Sequence, residues 1–141
     1  MQVSNLSDEP IWLVGVLPGS DGRRYPQYVP EIQGPAGPVQ VQSPEALDYV
    51  RGLRPEDFVL LAPGESFDPQ GKGFIPIQPL AWFRPSEPGT YRFRLRFDST
   101  ELDPRDWMGH THVPQMHKVE GLIKQVPKVQ VWSNTLEIEF A

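Results

Sequence analysis

The stretch "PGTYRFRLRF", Pro88 to Phe97, alternates without a break. Tyr91, Phe93, Leu95 and Phe97 take one parity; Arg92, Arg94 and Arg96 take the other. A period of two is the signature of a strand with one buried and one wet face. The closing stretch "TLEIEF" repeats the pattern with opposite charge: Leu136, Ile138 and Phe140 alternate with Glu137 and Glu139. If the two strands pair, their wet faces form an Arg–Glu ladder, each pair contributing roughly 0.2–1 kcal/mol. That reading explains the three arginines without a ligand. A single-strand nucleic-acid platform would want aromatics and arginines on the same face, and here they lie on opposite faces.

Upstream of "TLEIEF" the parity slips. Val129 and Val131 are odd, whereas Leu136, Ile138 and Phe140 are even. One regular strand cannot bury both sets, so a bulge or bend is expected at Ser133–Asn134. "PIWLVGVL" (10–17) and "DFVLLAPGESF" (57–67) read as further strands bounded by turns. "RYPQYVPEIQG" (24–34) and "FIPIQPLAWF" (74–83) carry prolines that cannot donate to a ladder, so both are expected at edges or as crossing segments. "SPEALDYVRG" (43–52) has the cap, proline and stop of a short helix. "DPRDWMG" (103–109) has those of one helical turn, while 110–128 reads as a long mixed connection.

The chain has 141 residues, no cysteine, and 13 basic against 18 acidic side chains, a net charge of −5. One domain over 1–141 can bury a core of its own at this size without disulfides or a structural metal. The acidic balance argues against nucleic acid as a partner. No apolar run reaches the roughly 20 residues of a membrane span. The first ten residues lack the basic start and apolar stretch of a signal peptide, and the absence of cysteine suits a reducing compartment, so a cytoplasmic location is expected. The expected fold class is all-β: a sandwich of about seven or eight strands with one short inserted helix, a small barrel being the alternative.

The segment "EPGTYRF" resembles the tyrosine corner of immunoglobulin-like sandwiches. Glu87, Gly89 and Tyr91 fit it, with Phe93 where those domains carry cysteine. The resemblance implies that Tyr91 returns its hydroxyl to nearby backbone. "LAPGESF" resembles the Pro-Gly-Glu-Ser turn of bacterial immunoglobulin-like modules. The order of these motifs, from Asn5, Ser7 and Asp8 to "SNTLEIEF", is similar to small bacterial sandwich proteins of the intracellular proteinase inhibitor type and related uncharacterised proteins. Inhibition of a proteinase is therefore one implied function, although 18–56 and 103–127 depart from that pattern.

No catalytic set stands out. Ser66, Ser86, Ser99 and Ser133 lie outside any Gly-x-Ser-x-Gly elbow. His110, His112 and His117 are all the histidines, and their clustering would suit a metal only with a fixed frame around it. The expectation is no cofactor and no metal, with metal binding or metal-dependent catalysis through that segment as an alternative. Trp107 and Met108 on the turn at 103–109, and Arg23, Arg24, Tyr25 and Tyr28 near an edge, are of the types enriched at protein interfaces. For Trp107 the competing expectation is that it closes one end of the core. The expected function is thus a non-catalytic protein-interaction or accessory module.

Overall fold

A computed structural model describes residues 1–15, 25–41, 52–69, 83–108 and 114–141. All but Gly52 of the helix expected over 43–52, and all but Phe83 of the segment 74–83, lie outside them. Described structure is mainly strand. The elements are β1 (Val3–Ser4), β2 (Ile11–Val14), β3 (Gln27–Gly34), β4 (Gly37–Val39), β5 (Phe58–Leu61), β6 (Ser66–Phe67), β7 (Gly89–Asp98), α1 (Arg105–Met108), α2 (Met116–Gln125), β8 (Gln130–Trp132) and β9 (Leu136–Phe140).

β7 is the spine. It pairs antiparallel with β3 on one side and with β8 and then β9 on the other, and β4 extends β3. β2 pairs with β5, and β1 with β6, in two further antiparallel ladders. Among the described residues no sheet closes on itself.

The bulge sits where the parity slips. Arg96 faces Trp132 and Phe93 faces Leu136, so two residues of β7 lie opposite three, Ser133 to Thr135. Ser133 bridges the irregularity: its N–H donates to the Leu95 carbonyl at 2.8 Å, and its hydroxyl accepts the Leu95 N–H at 2.9 Å. The extra residue brings Val131, Leu136 and Ile138 onto the same face as Phe97, Phe93 and Tyr91.

One expectation holds in part and one needs correction. β3 is flanked by β4 and β7 only at Ile32–Gly34, so that end is interior, while the part that carries Pro30 has one described partner, β7. Its proline is tolerated there, where the side away from β7 carries no described strand. The correction is α2, ten residues long, where a mixed connection was expected. It starts directly after Gln115, whose φ of 58° is left-handed, and has no side-chain cap. It buries Val119 and Ile123.

The main core joins the β2–β5 ladder to the helices. Leu13, Val14, Leu53, Phe58 and Leu61 pack with Trp107, Met108, Val119, Ile123 and Val126. From the large sheet, Phe97 reaches this cluster. At the other end of that sheet Phe83 lies edge-on to Tyr91 and Phe93, with centroids 5.4 and 5.3 Å away, and close to Phe140. The corner at 87–91 closes this end. The Tyr91 hydroxyl donates to the Glu87 carbonyl at 3.1 Å. Gly89 has φ +138°, and a Cβ there would stand 2.6 Å from Cγ of Pro35, so both backbone and space require glycine.

Candidate interaction surface

The large sheet has one charged face and one apolar face. On the charged face the register sets Arg92 of β7 opposite Glu137 of β9, and Arg94 opposite Glu31 of β3. The ion pairs form at 2.5 Å (Arg92–Glu137) and 2.6 Å (Arg94–Glu31). Arg96 reaches both Glu31, at 3.5 Å, and Asp98, at 3.1 Å. Thr90 donates its hydroxyl to Glu139 at 2.6 Å. Trp132 joins this face from β8: its indole N–H donates to Glu31 at 3.2 Å, and the Arg94 guanidinium lies 5.6 Å from its ring centroid. The Arg92–Glu137 and Arg94–Glu31 pairs are solvent-accessible, each contributing at most about 1 kcal/mol, whereas Asp98 is buried. An open cleft of about 450 Å³ runs over Pro30, Glu31, Gln33, Arg92, Arg94 and Thr135. Both its guanidiniums are already held by carboxylates.

Two carboxyls here are shifted. Burial pushes Glu31 up, but hydrogen bonds from Trp132 and Arg94 and the charges of Arg94 and Arg96 outweigh it and hold the group below its ordinary value. Burial likewise pushes Asp98 up. The Thr100 hydroxyl and N–H, the Gln130 amide and Arg96 more than reverse that. A carboxyl held low in the folded state stabilises the fold above its unfolded pKa, and that contribution is lost as pH falls through the folded value. Asp98→Asn should therefore flatten the acid limb of stability. Thermal unfolding from about pH 6 down to about pH 2 checks this; a variant as acid-sensitive as the parent would contradict it.

The apolar face is unevenly covered. Tyr91 is fully buried, yet at the β8–β9 side Val131 is 50% exposed, Leu136 56% and Ile138 38%. Nine large apolar side chains are exposed among the described residues; Val131, Leu136 and Ile138 are the ones on this face of β8 and β9, while Trp132 stands on the charged face. Single exposed apolar groups are ordinary; a contiguous set marks a contact surface. The alternation of "TLEIEF" places Leu136 and Ile138 on the core side, but it does not show that they are left exposed.

The residues singled out from the sequence fare differently. Trp107 and Met108, read from the sequence as candidate partner contacts, are turned inward. They are 0% and 2% exposed and belong to the core. The Trp107 indole donates to the Glu101 carbonyl at 3.1 Å, its ring lies 4.4 Å from the Lys128 ammonium, and Tyr25 packs against it with centroids 6.2 Å apart. Lys128 also donates to the Ile123 carbonyl at 2.6 Å, and burial lowers its pKa. Tyr28 is turned inward, edge-on to Phe97 at 5.2 Å. Its hydroxyl is buried without a hydrogen-bond partner among the described residues, and burial pushes that hydroxyl's pKa well up. Arg23 and Arg24 lie outside the described residues.

So do His110 and His112. His117 is exposed on α2. Among the described residues no three His, Asp or Glu side chains converge as a metal site. The Ser66, Ser99 and Ser133 hydroxyls are engaged with Ser4, with backbone of 127–129, and with Leu95 and Asn134. Among the described residues no helix is long and apolar enough to cross a membrane. No protein-family model, curated protein or solved structure matches the chain.

Proposed function

We propose that this chain is a non-catalytic protein-interaction module, built on an immunoglobulin-like sandwich and working through its C-terminal strands. The carrying observation is the concentration of exposed apolar side chains on β8 and β9, beside a face whose charges are already paired. A protein partner fits this better than nucleic acid. Three arginines on that face meet Glu31, Asp98 and Glu137, which leaves little free positive charge for phosphates. The absence of cysteine suits a reducing, cytoplasmic setting.

The test is retention from a lysate of the source cells by the full chain, against a bait carrying Val131→Ser and Leu136→Ser. Both side chains are half exposed, so the bait should keep its fold. If each side chain is buried by the partner, the double variant should bind at least about tenfold more weakly. Equal retention by both baits, or none by either, would contradict the proposal.

A further inference from the structure

We infer that the edge of β9 away from β7 accepts an extended strand from another protein, one that alternates basic and apolar residues. This rests on the interaction reading above and names its partner's chemistry. Among the described residues β9 pairs with β7 and with no second strand, and an edge of that kind is where an extended segment adds to a sheet.

The charged face of the sheet alternates in sign from strand to strand. Glu31 on β3 is followed by Arg92 and Arg94 on β7, and these by Glu137 and Glu139 on β9. The next strand in that order is basic. Glu137 is already paired with Arg92, but Glu139 meets only the Thr90 hydroxyl among the described residues. On the opposite face the same strand would lie against Leu136 and Ile138 and cover apolar surface that is now wet.

Natural edges are blunted by charge, above all lysine, by proline or by shortness. The charges on β9, Glu137 and Glu139, are acidic, which opposes another acidic strand and suits a basic one. The opposite edge, β4, is three residues long and contains Pro38. β9 is five residues long, and residues 129–141 contain neither lysine nor proline. A second copy of this chain is a poor occupant: antiparallel self-pairing centred on Ile138 sets Glu137 of one copy against Glu139 of the other, and like charges directly opposed are destabilising.

The test uses the full chain, isotopically labelled, and a capped synthetic peptide of alternating Lys and Val. A matched peptide of alternating Glu and Val is the control. The Lys–Val peptide should shift the amide signals of 136–140 and slow their hydrogen exchange, more strongly at low salt. The Glu–Val peptide should not. Glu139→Gln breaks no ion pair among the described residues and can still accept from Thr90, so the fold should survive; it should weaken Lys–Val binding about threefold.

Equal response to both peptides, response away from β9, or none at all would overturn the inference. So would protection of 136–140 that grows with protein concentration alone, which would make a second copy the occupant. The two proposals fail separately. If lysate capture depends on Val131 and Leu136 but the Lys–Val peptide leaves β9 untouched, strand addition falls and the interaction reading stands.

Discussion

Replacing Trp107 by alanine should remove about 3–5 kcal/mol of folding stability. The side chain is fully buried where α1 meets the β2–β5 core. Its loss opens a large cavity, strands the Glu101 carbonyl, and removes the ring beneath the Lys128 ammonium. A domain this size has only about 5–15 kcal/mol in total, so the variant should lie near the edge of unfolding. Urea unfolding reads this as a fall in midpoint of a few molar at most, given a slope of about 1–3 kcal/mol per molar. Trp107→Phe, which keeps an aromatic ring, should lose clearly less. A loss below about 1 kcal/mol for the alanine variant would put Trp107 outside the core.

The second large effect is expected at Asn5, a polar group with 1% exposure. Its amide donates to the Glu9 carbonyl at 2.8 Å and the Leu61 carbonyl at 3.0 Å. Its side-chain oxygen accepts from the Ser7 N–H at 2.9 Å and the Ser7 hydroxyl at 2.7 Å. Its own backbone is tied to the turn after β5: the Asn5 N–H donates to Glu65, and the Gly64 N–H to Asn5. One side chain thus fastens the N-terminal segment to β5. Asn5→Ala leaves several buried groups unmatched and should lose about 2–4 kcal/mol. Asn5→Asp should be no milder at neutral pH, because it sets a carboxylate against two carbonyl oxygens, and acid should partly relieve it. Chemical unfolding of both variants checks this; an Asn5→Ala loss within about 0.5 kcal/mol of zero would contradict it.

These residues also mark what the sequence makes legible. The strand at 89–98 follows from strict alternation, since a period of two leaves no choice of face. The bulge at 133–135 follows from the parity slip for the same reason. Alternation does not name partners, however: Arg92 meets Glu137 of β9, whereas Arg94 and Arg96 meet Glu31 and Asp98. α2 was harder to read. Met116, Val119, Ile123 and Val126 do fall at helical spacing. However, the helix opens on a left-handed Gln115 without a side-chain cap and carries Gly121 inside it, so the usual start signal is missing and a breaker is present.

Trp107 shows a different limit. A tryptophan on a capped turn looks the same in sequence whether it faces the core or a partner. Only packing against Tyr25, Lys128 and the β2–β5 ladder decides it. The candidate surface was hidden for the converse reason. Leu136 and Ile138 carry a core-like pattern, and their exposure is set by packing that the pattern does not encode.

The central claim is that β8 and β9 form the contact surface. Amide hydrogen exchange across the full chain, alone and with the protein retained from the lysate, tests it most directly. Slowing concentrated in 130–140 is the result the structure predicts. Protection elsewhere, with 130–140 exchanging as in the free chain, would contradict it.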